Sequence, residues 1–269
     1  PAAFLAWAGT NVRRQRQPGF ATAAVTLPLG DVTADQLRVL SALSRSYGDG
    51  AARFTSEQDL LLRWVREEDL PALHARLAAA GLAREGAGTV LDVVSCPGAE
   101  TCRLAVTQSR GLGQLLEAHL RSTPRALQLA PDLSVRVSGC PNGCSRHHVA
   151  GIGFQGSLRK VGGRAVPQYF VLVGGSASGE AARFGRLAAK IPARRIPEAV
   201  DRLLDLYQRD RRPGERATDF FGRVDLEPVR QALRGLPDLD AAAARPEDFV
   251  DLGEERDFHA STLEGECAA

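Results

Sequence analysis

Cys140-Pro-Asn-Gly-Cys144 decides how this chain is read, together with Cys96-Pro-Gly-Ala-Glu-Thr-Cys102 upstream. Four of the five cysteines fall in these two pairs, with 37 residues between the pairs. Each pair lies in a glycine- and proline-bearing turn after an apolar stretch. Val90 to Val94 runs into Cys96, and Leu133 to Val137 leads into Cys140. Both stretches read as strands. Disulfides are disfavoured, because no secretory context is visible. A structural zinc ion typically takes cysteines about two to four residues apart, so the wider gap of the first pair fits poorly. Two paired turns at strand ends also argue against cysteines that are merely buried. A [4Fe–4S] cluster fits better: thiolates suit iron, and ligands to different corners of a cube tolerate uneven spacing. Gly98, Gly139 and Gly143 permit close backbone approach, so that amide N–H groups can point at cluster sulfides. The fifth cysteine, Cys267, reads as a free thiol.

Working outward, residues 1–18 hold an apolar start (Phe4, Leu5, Trp7), then a basic run from Arg13 to Arg16, and close at Pro18-Gly19. They read as an ordered leader or linker. Residues 19–88 read as a small α+β layer. Ala21 to Leu27 is a strand, and Thr33 or Asp35 caps a helix through Tyr47. Short strands follow at Arg53–Thr55 and Leu60–Trp64. Glu67 to Ala80 carries Leu70, Leu73 and Leu77 at helical spacing and stops at Gly81. Strands separated by two helices suggest a ferredoxin-like arrangement. In residues 89–269 a helix is expected over 103–120, and strands at Val149–Phe154, closed by Gly156, and at Tyr169–Val173. A further helix is expected over Pro197–Arg211, with proline in first position. The tail from about Ala241 is acidic and less regular.

The formal charge is +2, from 34 basic and 32 acidic residues. That balance argues against a dedicated nucleic-acid binder, which shows a basic excess on one face. No stretch approaches the roughly 18 apolar residues of a membrane helix, and no signal peptide is visible. The reading is soluble and cytoplasmic. The sequence opens at Pro1 and contains no methionine, which suggests a chain that is processed, trimmed or cut from something longer.

Ser138-Gly-Cys-Pro-Asn-Gly-Cys-Ser-Arg-His-His-Val-Ala-Gly-Ile-Gly-Phe-Gln-Gly156 resembles the signature of the sirohaem-containing nitrite and sulfite reductases. The string from Cys96 to Cys102 resembles the upstream half of the same motif. Arg53-Phe-Thr-Ser-Glu-Gln-Asp-Leu60 is similar to the motif of the family's ferredoxin-like half-domain. Arg195-Ile-Pro, Arg211-Arg-Pro-Gly-Glu215 and Asp219-Phe-Phe fit its C-terminal helices. The resemblance implies a ferredoxin-like half-domain followed by a sirohaem and [4Fe–4S] α/β domain. It implies that Cys96, Cys102, Cys140 and Cys144 bind one cluster, with Cys144 also bridging to sirohaem iron. It implies six-electron reduction of nitrite to ammonia or of sulfite to sulfide, with electrons from ferredoxin or a flavoprotein. Family enzymes hold two pseudo-symmetric copies of this arrangement, and the motifs match the second. The residues that clamp the substrate anion come chiefly from the first copy, so the chain is expected to be a C-terminal half and its catalytic residues are unknown. A precorrin-3B synthase of cobalamin biosynthesis, which shares the cluster motif, and a non-catalytic electron-transfer module are the rival readings.

Arg53, Thr55 and Gln58 fall where family members present side chains to the cofactor, and an arginine fork pairs well with sirohaem carboxylates. The plainer reading of Arg53 is a surface arginine beside a turn. Asn142 is expected to shape the turn between two ligands, since asparagine tolerates left-handed backbone. Arg146 is expected to touch a sirohaem carboxylate. Adjacent histidines on an extended segment point to opposite faces, so at most one of His147 and His148 faces the cofactor, and packing or a carboxylate hydrogen bond is the better account of both. The basic run at Arg13 to Arg16 reads as solvated, with docking to acidic ferredoxin a weaker possibility.

Overall fold

The computed structural model describes residues 2–178, 182–242 and 244–260. Cys267 lies outside the described residues. The chain divides into two units between Asp92 and Val93, and no helix among the described residues is long and apolar enough to cross a membrane.

In the N-terminal unit, the segment read as an ordered leader forms helix α1 (Ala2–Asn11) and edge strand β1 (Val12–Arg14). Two buried side chains hold it. Trp7 packs in the core of the unit. The Asn11 amide donates to Ala24 O and Arg84 O at 3.0 and 2.9 Å, and its oxygen accepts from Gly86 N at 3.1 Å. Strands β2 (Phe20–Val25), β3 (Ala52–Phe54) and β4 (Leu60–Arg66) complete an antiparallel sheet of order β1-β2-β4-β3. Helices α2 (Ala34–Tyr47) and α3 (Leu70–Ala79) supply Leu40, Leu43, Leu73 and Leu77 to its core. Thr33 starts α2 with a reciprocal capping box: its hydroxyl accepts from Gln36 N, and the Gln36 side chain accepts from Thr33 N. That box satisfies two otherwise unpaired amides.

In the C-terminal unit, β5 (Val94–Ser95), β6 (Val135–Ser138), β7 (Ile152–Val161), β8 (Arg164–Val173) and β9 (Arg186–Pro192) form one mixed sheet in that order. β5 and β6, and β6 and β7, run parallel; the two remaining pairs are antiparallel. Helices α4 (Ser109–Arg121), α5 (Arg125–Leu129), α6 (Ile196–Asp210), α7 (Ala217–Arg223) and α8 (Leu226–Ala232) belong to this unit. Several boundaries differ from expectation. β7 does not stop at Gly156 but runs to Val161, because Gly156 is paired with Tyr169 inside a long hairpin. Residues 103–108 are loop rather than helix, and Pro197 is the second helical residue rather than the first. β9 had no counterpart in the sequence reading. Residues 244–260 of the tail are tied to the sheet: Arg164 pairs with Asp257 at 2.8 Å and lies 3.8 Å above the Phe249 ring.

Candidate metal centre

Parallel pairing puts the C-terminal ends of neighbouring strands side by side, which is where ligands sit in such sheets. β5 and β6 are paired in this way, with Val94 opposite Arg136 and Ser95 opposite Val137. Cys96 therefore leaves the end of one strand beside the end of the strand that leads to Cys140. A 3-10 turn over Gly98–Glu100 returns the chain to Cys102, and a tight turn carries Cys140 to Cys144. Cys96 and Cys140 are buried, Cys102 is half-buried and Cys144 is exposed.

The two loops are sewn together through backbone. Val106 N and Thr107 N both donate to Gly139 O, at 2.8 and 3.2 Å, and Ala99 N donates to Thr107 O at 3.0 Å. Gly139 N donates to Cys96 Sγ at 3.2 Å. A Cβ on Gly139 would stand 2.7 Å from Thr107 O and 3.2 Å from Gly98 Cα, so only glycine allows this approach. Burial pushes the Cys140 thiol up, the Asn142 N–H opposes that, and the neighbouring Cys96, Cys144 and Cys102 thiols raise it further. The four sulfurs therefore share one field.

Asn142 acts differently from expectation. The left-handed residues of the turn are Gly143 (φ +68°) and Arg146 (φ +62°), and the contribution of Asn142 is its backbone N–H toward Cys140. The histidines also differ: His147–Val149 is a 3-10 turn, not an extended segment, and the two rings meet edge to face at 5.3 Å. Both rings pack against neighbouring side chains. His147 is buried against Gln155, 3.2 Å from its Oε1, and burial lowers its pKa. His148 lies against Phe184 and over Gly143, where a Cβ would come within 2.8 Å of its ring. Arg146 lines a cavity of about 340 Å³ with Arg136, Arg216 and Asp132, whose carboxylate lies 3.6 Å from Arg216 Nε.

Arg53, Thr55 and Gln58 belong to the N-terminal unit. Arg53 is half-buried and 3.3 Å from Asp49 Oδ2. The Thr55 hydroxyl accepts from Glu57 N and Asp59 N, both at 3.2 Å, and so braces the β3–β4 turn. Gln58 takes φ +69° at the tip of that turn. Asp59, buried beside it, accepts from Leu27 N at 3.0 Å; burial, then the Asp92 carboxylate, pushes its pKa up to about 8.

Sequence reasoning missed Ser109 and Asp251. Ser109 is fully buried, with Oγ 3.2 Å from Cys96 Sγ. Asp251 accepts from Gln108 N at 2.8 Å, pinning the tail to the start of α4. Beside it a cavity of about 520 Å³ is lined by Cys102, Arg103, Asp257 and His259. Nothing in the spacing around Cys96 marks Ser109, whose approach depends on the fold of the intervening loop.

No three His, Cys, Asp or Glu side chains among the described residues are grouped so as to share a single metal ion. Converging thiols, amide donors and glycine clearance fit a cluster.

Residues 13–80 match the nitrite/sulfite reductase ferredoxin-like half domain, and residues 86–237 match the nitrite and sulphite reductase 4Fe-4S domain. The chain belongs to the nitrite and sulphite reductase family. Its cofactors are accordingly a [4Fe–4S] cluster and sirohaem, and its α+β class with a ferredoxin-like half-domain is as the sequence implied. A sulfite reductase [ferredoxin] of Mycolicibacterium paratuberculosis is 31% identical over 206 residues, which cover 75% of this chain and 37% of the relative. A ferredoxin–nitrite reductase of Synechococcus elongatus is 27% identical over 198 residues, covering 72% and 37%. The NirA protein of Mycobacterium tuberculosis superposes with a TM-score of 0.69 at 28% identity, over 82% of this chain and 41% of that one. A dissimilatory sulfite reductase shares the fold, with a TM-score of 0.63 at 14% identity. The chain thus spans little more than a third of the length of these curated relatives.

Proposed function

We propose that this chain is the cluster-bearing part of a sirohaem-dependent nitrite or sulfite reductase, with Cys96, Cys102, Cys140 and Cys144 as ligands of one [4Fe–4S] cluster. One observation carries the reading: two adjacent parallel strands deliver both cysteine pairs to the same sheet edge. When bound, the cluster and sirohaem supply one-electron storage and a redox-active iron for six-electron reduction of the anion.

The chain's own residues do the positioning. The exposed Cys144 is the sulfur that would also reach sirohaem iron, and the buried Cys96 and Cys140 would hold the cluster with Cys102. The Gly139 and Asn142 amides stabilise negative charge on the ligand sulfurs. Arg146, with Arg136 and Arg216 around its cavity, suits a sirohaem carboxylate. Arg53 and Gln58 are proposed to reach the same cofactor and Thr55 to hold their turn. The electron donor is a ferredoxin or a flavoprotein.

The test is spectroscopic. The holoprotein is expected to show sirohaem bands and, on pigment extraction, to release an iron tetrapyrrole. A cluster without any iron tetrapyrrole would favour the precorrin-3B synthase reading. Colourless, iron-free protein after anaerobic reconstitution would overturn both.

A further inference from the structure

We infer that the Ser109 hydroxyl donates a hydrogen bond to the Cys96 sulfur and thereby raises the reduction potential of the cluster that Cys96 holds. This rests on the reading of the four cysteines as cluster ligands. Ser109 is the first residue of α4 and is fully buried. Its Oγ lies 3.2 Å from Cys96 Sγ and 2.9 Å from Cys96 O.

The bond pattern depends on what Cys96 carries. As a thiol, Cys96 can donate its own proton to Ser109 Oγ, while the serine proton goes to the Cys96 carbonyl. A sulfur bound to iron has no proton and only accepts. The serine proton then chooses between a neutral carbonyl and an anionic sulfur, and charge-assisted hydrogen bonds are the stronger by roughly twofold. The carbonyl is not abandoned, because Ser95 Oγ donates to the same Cys96 O at 3.0 Å. Ser109 is therefore free to turn without stranding a buried acceptor.

Gly98 makes the approach possible. It takes φ +63°, and a Cβ there would overlap Ser109 Oγ and stand 2.6 Å from Ser109 N. Gly98 and Ser109 form one device: the turn after Cys96 is left bare so that a hydroxyl can reach the sulfur. With the Gly139 N–H already 3.2 Å from Cys96 Sγ, Ser109 is a second donor to the same ligand. An added electron increases the negative charge on the ligand sulfurs. A donor to sulfur thus stabilises the reduced state more than the oxidised one.

The experiment uses the full chain, reconstituted as wild type, Ser109→Ala and Ser109→Thr, with iron and acid-labile sulfide measured first. Redox titration followed by electron paramagnetic resonance then gives the midpoint potential. Ser109→Ala is expected to shift the reduction equilibrium about tenfold toward the oxidised cluster, about 59 mV for a one-electron couple. Ser109→Thr, which keeps a hydroxyl, is expected to stay near the wild-type value. A fully loaded Ser109→Ala protein at the wild-type potential, or a threonine variant shifted as far as alanine, would overturn the inference. A wild-type chain that assembles no cluster would overturn the ligand reading, and this inference with it. If Ser109→Ala fails to load, resonance Raman spectra of the wild type decide. Brief exchange into D2O, too short for the buried Gly139 amide, should shift the Fe–S(Cys) bands, and unshifted bands would overturn the inference.

Discussion

Around the two cysteine turns the residues divide into those that supply sulfur and those that make room for it. Gly139 is the sharpest case of the second kind, since an added Cβ meets backbone at Thr107 O and Gly98 Cα rather than a yielding side chain. Gly139→Ala is expected to destabilise the C-terminal unit by about 1–3 kcal/mol, in line with overpacking elsewhere, and to lower iron loading. Urea melts of the unloaded chain and iron analysis of the loaded one check the two effects separately. Cys144→Ser tests the proposed bridge: the cluster and haem signals should lose their coupling by electron paramagnetic resonance, and unchanged coupled spectra would count against it. The cysteines were legible because thiol pairs in glycine turns after apolar strands have few physical uses. Asn142 was half legible. Its place in the turn was clear, but the left-handed geometry fell on Gly143 and Arg146, and composition alone does not say which residue of a turn bends.

At the scale of elements, the strand ends position the centre and the tail secures them. Asp251 accepts from Gln108 N, the N-cap residue of α4, and Leu252 packs against Gly111. Burial pushes the Asp251 carboxyl up to about 6, against the help of those amides. Asp251→Ala is expected to cost about 1 kcal/mol, as loss of a helix cap does, and to speed hydrogen exchange at the start of α4. An unchanged exchange profile there would show that the tail does not hold that helix. Helices α2, α3 and α6 could be read from periodicity and caps, as the Thr33 box shows, whereas α5 and α8 had no counterpart and of Val90–Val94 only Val94 lies in a strand. β9 could not be read: Arg186 to Pro192 mixes two cations with apolar residues, and it forms through antiparallel pairing with β8 that no local pattern announces. The order expected of residues 1–18 has a source that no local pattern shows, because Trp7 packs in the core of the unit and Asn11 bonds to Ala24, Arg84 and Gly86.

At the scale of the whole molecule, two units carry separable properties. Both tryptophans, Trp7 and Trp64, lie in the N-terminal unit, so their fluorescence reports its unfolding alone. That unit buries Asp59 with a carboxyl raised to about 8, whereas an unfolded aspartate titrates near pH ~4. Between those values the folded unit keeps a proton that the unfolded chain has released. The Asp59 contribution to its stability is therefore fully present below pH ~4, lost as pH rises toward ~8, and level beyond. Asp59→Asn should flatten that slope, and an equal slope in the variant would place its origin elsewhere. The C-terminal unit carries the chemistry and bears the central claim. Iron and acid-labile sulfide analysis of the anaerobically reconstituted chain, read with its electron paramagnetic resonance spectrum, tests that claim most directly. About four irons per chain with a [4Fe–4S] signal, lost on replacing Cys96 or Cys140 by serine, is the predicted result. A single bound metal ion, or a cluster that survives both replacements, would contradict the account.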